Sequence, residues 1–166
     1  MRILRVVALC LLVSAASLRA TVLIPADLTE LARDARAIAV GRVVGLDSRW
    51  SPDHQTIETI VSLEVAEYLK GSLGATVAFR IPGGRVGRYR NIVEGAPQFS
   101  IDQPVIVFLG ARGPSVPFVL GMSQGVYRIV PAAGGLGWDV TSEPLRRRQA
   151  LPDFKARVRD LVERAR

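Results

Sequence analysis

The segment Gly121-Met-Ser-Gln-Gly125 fits the G-x-S-x-G pattern of a serine nucleophile elbow. That pattern supports acyl transfer only where the serine sits on a sharp strand–turn–helix bend, followed later in the chain by an acid and a histidine. Here a strand-like run, Val126-Tyr-Arg-Ile-Val130, follows, and the single histidine, His54, lies upstream. Ser123 therefore reads as part of a glycine-flanked bend between strands. His54 stands beside Asp53 in the turn Ser51-Pro-Asp-His54. Alone it offers one general base or one metal ligand, whereas zinc needs three or four N, S or carboxylate ligands. Among the carboxylates, Glu58 and Glu64 share one strand face, about 20 Å apart at roughly 3.3–3.4 Å per residue. A glycosidase pair stands about 5–9.5 Å apart. No catalytic residue, metal or cofactor is expected, and a small secreted hydrolase built on Ser123 or His54 stands as an alternative to the favoured binding reading.

Binding chemistry is better represented. Gly83-Gly84-Arg-Val-Gly87 has the glycines of a phosphate loop but lacks the Lys-Ser/Thr and the helix that complete one. Arg85, Arg88, Tyr89 and Arg90 interleave cations with an aromatic ring in a Gly- and Arg-rich segment from Gly83 to Phe99. A connection beyond about 12–15 residues is usually functional or disordered. Arginine forks pair with carboxylates and other anions. The expectation is that this loop lies over a mouth or edge of the fold and meets an acidic patch on a protein partner, with Phe99 anchoring its far end. The basic run Arg146-Arg-Arg148 reads as a solvated linker.

The elements that must position these residues are mostly strands. Ile57, Thr59, Val61, Leu63 and Val65 alternate with Glu58, Ile60, Ser62, Glu64 and Ala66, the period of a half-buried strand. A strand from Ile38 to Leu46 precedes it, with Gly41 and Gly45 marking a bulge or a close backbone approach. Val77–Ile81 and the continuous apolar run Val105–Leu109 follow. Phe118–Leu120 and Val126–Val130 supply one bent strand or two short ones, and Trp138–Val140 adds a short one. Asp27, with Glu30 three residues on, caps a short helix. A closing helix is capped by Asp153 and carries Phe154, Val158, Leu161 and Val162 on one stripe. The fold class is therefore mainly β: a small OB-like barrel or sandwich of about five to six strands, with a short N-terminal helix and an amphipathic C-terminal helix. Core positions are expected at Val61, Leu63, Val65, Phe79, Val107 and Leu109.

The ends of the chain set the compartment. Arg2 and Arg5 precede an uncharged run from Val6 to about Leu18, followed by small residues to Ala20. That is a secretory leader, and the run falls short of the roughly 20 residues of a membrane span. Cys10 lies inside it behind Leu9, which does not suit a lipoprotein cysteine. The expected organisation is a signal peptide over 1–20, a β-barrel domain over 21–142, and a basic linker with its helix over 143–166 packed on the same domain. The mature chain is expected in the periplasm or outside the cell, without disulfides and without a stable membrane span. Loss of Arg2, Arg5 and Arg19 takes the formal charge from +7 to +4, and the excess sits in the C-terminal tail. The body is balanced, so no broad nucleic-acid face is expected. The favoured partner is another exported protein.

The segments Ala37-Ile-Ala-Val-Gly-Arg-Val-Val44, Val65-Ala-Glu-Tyr-Leu-Lys-Gly71, Val77-Ala-Phe-Arg-Ile81 and Val105-Ile-Val-Phe-Leu109 carry two resemblances. With Gly95-Ala-Pro97 and Gln124-Gly125 they are similar to a group of uncharacterised exported bacterial proteins, over most of the mature chain. Residues 37–109 also resemble, more loosely, the netrin-like module of tissue inhibitors of metalloproteinases, an OB-type barrel. That second likeness implies a barrel and, as an alternative function, an inhibitor or partner of a secreted protease. Those inhibitors chelate zinc through an N-terminal cysteine and are laced with disulfides; the mature chain has no cysteine for either.

Overall fold

Strand β2 (Ile57–Lys70) shows how the alternating pattern becomes a wall. Val61 and Leu63 are fully buried on one face, while Glu58, Ile60, Ser62 and Glu64 turn to the other. The computed structural model describes residues 27–113, 115–142 and 147–165. The segment read as a signal peptide lies outside the described residues, as does Arg146.

The chain is mainly β, with ten strands and two helices among the described residues. Five strands form a partly closed, OB-like ring. β1 (Ala37–Trp50) pairs antiparallel with β2, and β2 with β3 (Thr76–Pro82). β6 (Pro104–Gly110) returns antiparallel to β1. β7 (Phe118–Val119) bridges β6 to β3, closing the ring through one parallel pair, Arg80 with Phe118. Between β3 and β6 lies a small separate hairpin, β4 (Gly84–Val86) and β5 (Tyr89–Asn91). Beyond the ring, β8 (Val126–Pro131), β9 (Trp138–Ser142) and β10 (Arg148–Ala150) extend the sheet from β6.

The strand read over Ile38–Leu46 continues to Trp50, and Gly41 makes it possible. A Cβ on Gly41 would sit 2.2 Å from the Glu64 carbonyl oxygen. Register shifts flank this point, between Val40 and Gly41 and between Val43 and Gly45. Such bulges change which residues face inward. Past them Val65 is only partly buried, short of the full burial expected of it, and Leu69 packs on the opposite side of the sheet.

Two cores result. One fills the ring with Val43, Val61, Leu63, Phe79, Val105, Val107 and Leu109 among others. The other lies outside it, beneath helices α1 (Leu28–Asp34) and α2 (Leu151–Arg164). Strand β6 serves both: Val105, Val107 and Leu109 face inward, while Ile106 and Phe108 face the helices. A strand covered on both faces must be apolar throughout, which accounts for its unbroken hydrophobic run. Phe108, Tyr127 and Phe154 stack in series, with centroids 5.6 and 4.5 Å apart, tying β6, β8 and α2 together. Asp27 caps α1 as expected, accepting from the Thr29 amide at 3.2 Å. Asp153 does not cap α2. The cap position is Ala150 at the end of β10, three residues earlier, so the helix begins at Leu151 and has no side-chain cap. The stretch read as a linker thus contributes an edge strand. None of the described helices is long and apolar enough to cross a membrane.

Candidate functional site

The hairpin β4–β5 is held against the ring by a short polar relay. Pro82 ends β3, and the Gly83 amide donates to the Ile57 carbonyl at 2.9 Å. Thr59 Oγ1 donates to the Gly83 carbonyl at 2.7 Å and lies 2.9 Å from Ser48 Oγ. Thr59 thereby spends its proton on Gly83, leaving Ser48 as the donor between the two hydroxyls. Gly84 has φ 142°, and a Cβ there would stand 2.4 Å from Thr59 Oγ1 and 2.6 Å from Ser48 Oγ. Only glycine lets the backbone approach these hydroxyls.

Register then divides the arginines. Arg85 stands directly opposite Arg90, and Val86 opposite Tyr89, so the two pairs occupy opposite faces of the ribbon. The Tyr89 ring meets Trp50 of β1 edge-on, with centroids 5.5 Å apart. The Arg88 guanidinium lies 5.0 Å from the Tyr89 ring centre and donates to its hydroxyl at 2.9 Å. Arg88 and Tyr89 are therefore committed to holding the hairpin tip on β1. Arg85 donates from Nε to the Gly87 carbonyl at 3.1 Å, closing the turn. Among the described residues neither Arg85 nor Arg90 has a salt bridge to a carboxylate.

After the hairpin the chain runs as coil from Ile92 to Gln103. Pro97 is buried, and Phe99 packs edge-on against Phe79 at 5.6 Å. Arg128 donates to the Gln98 carbonyl at 3.0 Å, and the Ser123 amide to the Gly95 carbonyl at 3.0 Å. The long connection is thus a docked hairpin and an anchored coil. Between them and the mouth of the ring lies an open groove of about 430 Å³. Its wall includes Leu46, Ile81, Ile92 and Phe99, with Ser48 and Thr59 at the hydroxyl relay. Arg85, Arg90, Asn91 and Gln98 supply its polar lining, and no Asp or Glu among the described residues lines it. Ile92 is 73% exposed, an uncovered aliphatic side chain on the lip.

The other candidates are placed elsewhere. Ser123 lies in a 3-10 turn, Met122–Gly125, that leads into strand β8, so the strand–turn–helix geometry of an elbow is not formed there. His54 is exposed in the β1–β2 turn with φ 55°. Glu58 pairs with Arg49 at 2.9 Å, and Glu64 lies opposite Arg42 in the ladder. Glu67 is clasped by Lys155 and Arg159 of α2. Desolvation at that interface pushes the Glu67 carboxyl up, but hydrogen bonds and charge from the two cations outweigh it and hold the group below its ordinary range. No group of three or more His, Cys, Asp or Glu among the described residues could hold a metal ion. Arg148 of β10 reaches the Pro131 carbonyl at 3.5 Å and Asp139 at 4.0 Å.

Of the four residues singled out in the sequence, Arg85 and Arg90 line the groove while Arg88 and Tyr89 build its support. The reading missed Leu46, Ser48, Thr59 and Ile92. The usable signal was Thr59 at an inward position of β2, where an apolar residue would otherwise stand. No protein-family model, curated protein or solved structure matches this chain.

Proposed function

We propose that the chain is an exported, non-catalytic binding module whose ligand sits in the groove between the mouth of the ring and hairpin β4–β5. The observation that carries this reading is the groove's composition: an apolar wall, an arginine pair, amide donors, and no carboxylate among the described residues. Ligand sites are commonly concave and largely apolar, with a few convergent polar groups. The partner is another exported protein, met in the periplasm or outside the cell. A second reading, an inhibitor or partner of a secreted protease, rests on the resemblance to the netrin-like module alone.

Selection of a random peptide library on the purified protein tests the reading. Enriched peptides are expected to lose binding to an Ile92→Asp variant, which puts a charge on the exposed lip without touching the core. Enriched peptides that bind this variant as well as the parent protein would remove the groove from consideration.

A further inference from the structure

Resting on that reading, we infer that the groove's occupant is an extended acidic segment of a protein partner. Its carboxylates meet Arg85 and Arg90, and an aliphatic side chain lies between Leu46 and Ile92. Arg85 and Arg90 are direct cross-strand partners in a two-stranded ribbon. Like charges placed so are destabilising, and neither has a carboxylate partner among the described residues. The hairpin Gly83–Asn91 contains three arginines and no acid. A ribbon of this kind is relieved by an anion from outside. Each guanidinium fork accommodates a carboxylate in two parallel hydrogen bonds.

The remaining lining narrows the class further. Asn91 and Gln98 carry amides suited to a polypeptide backbone, while Leu46 is 39% and Ile92 73% exposed. An inorganic anion would leave that aliphatic surface wet. A peptide with an apolar residue among acidic ones covers it and neutralises the pair together. The division of the arginines sharpens the expectation: Arg88, spent on Tyr89, holds the hairpin in place, while Arg85 and Arg90 meet the ligand's charge.

The probe is a fluorescent pentapeptide, Asp-Glu-Leu-Glu-Asp, titrated onto the purified protein beside its amide analogue, Asn-Gln-Leu-Gln-Asn. The acidic peptide is expected to bind, and to lose about tenfold or more in affinity when Arg85 and Arg90 are both replaced by Gln. The same loss is expected on raising salt from roughly 50 to 300 mM, and Arg164→Gln, an exposed arginine in the last turn of α2 and outside the groove lining, should bind within about twofold of the parent. The double variant should melt no lower than the parent, since a repulsive pair has been removed, and this guards against loss of folding as the cause. Equal binding of the amide analogue at the groove would overturn the acidic class while leaving the groove as a ligand site. Displacement of the peptide by inorganic phosphate at equal concentration would mark a plain anion site and overturn the peptide assignment. Failure of both pentapeptides, beside library peptides that still require Ile92, would overturn the acidic class alone. Library peptides that ignore Ile92 overturn the underlying reading instead.

Discussion

The two cores that share β6 are assembled from different parts of the chain. The ring's core draws its side chains from Ala39 to Val126, from strands that are mostly joined by hairpins. The outer core joins Leu31, Ala32 and Ala35 to Phe154, Val158 and Val162, the two ends of the described chain, across β1 and β6. The first is enclosed by backbone hydrogen bonds on nearly every side. The second is closed by side-chain packing and by the clasp of Lys155 and Arg159 on Glu67. The contrast teaches that the ring can resist insult only as a unit, whereas the helix layer can be loosened piece by piece.

The largest expected effect falls on the ring. Val61 is fully buried between β1 and β3, where Leu46 and Phe79 are its ladder partners. Val61→Asp places a charge there with no partner and should cost more than about 4 kcal/mol, enough to prevent folding. Circular dichroism and a thermal melt check it; a wild-type-like melt would refute the strand register. The outer core should suffer less. Phe154→Ala removes the last ring of the Phe108–Tyr127–Phe154 stack and should cost about 3–5 kcal/mol. Hydrogen exchange should then show α2 opening while β2 and β3 stay protected. Simultaneous loss of protection in both would erase the distinction between the cores.

The smallest effect concerns the clasp. Because Glu67 titrates below its ordinary value when folded, its contribution is fully present above the unfolded value, near 4.3. It is lost as pH falls through the depressed folded value. Glu67 is partly exposed, so the contribution is about 1 kcal/mol or less. Glu67→Gln should lower the melting temperature slightly at neutral pH and make part of the acid-induced loss of stability disappear. Parallel acid profiles for the two proteins would show that the clasp does not hold the helix.

The difference in legibility follows the same division. β2 and β6 could be read because their patterns are local: one alternates, and the other is an unbroken apolar run of five residues, Val105–Leu109. The bulges at Gly41 and Gly45 were marked by glycines within an apolar run. The hairpin β4–β5 and strand β10 are three residues each, too short to show a period, and their sequences are rich in arginine. Asp153 looked like a cap because Pro152 precedes it, but the edge strand feeds directly into the helix and moves the start back. At the groove, the meeting of Ser48 with Thr59 depends on ladder register across eleven positions, which composition does not encode. The arginines stood out by type; their separation into a groove pair and a supporting stack came only from the hairpin's pairing.

Strand β6, covered on both sides, also orders events in time. Its inner side can be closed once residues up to Val126 are available, but its outer side waits for Phe154, Val158 and Val162. Until those last residues emerge during synthesis, Ile38, Ile106 and Phe108 form an apolar strip covered only in part, by α1 and Tyr127, on an otherwise finished ring. Such a strip is the surface that holding chaperones bind and that nascent chains stick by. The C-terminal helix therefore completes the cover of β6, and a chain truncated before it would leave part of that apolar strip exposed.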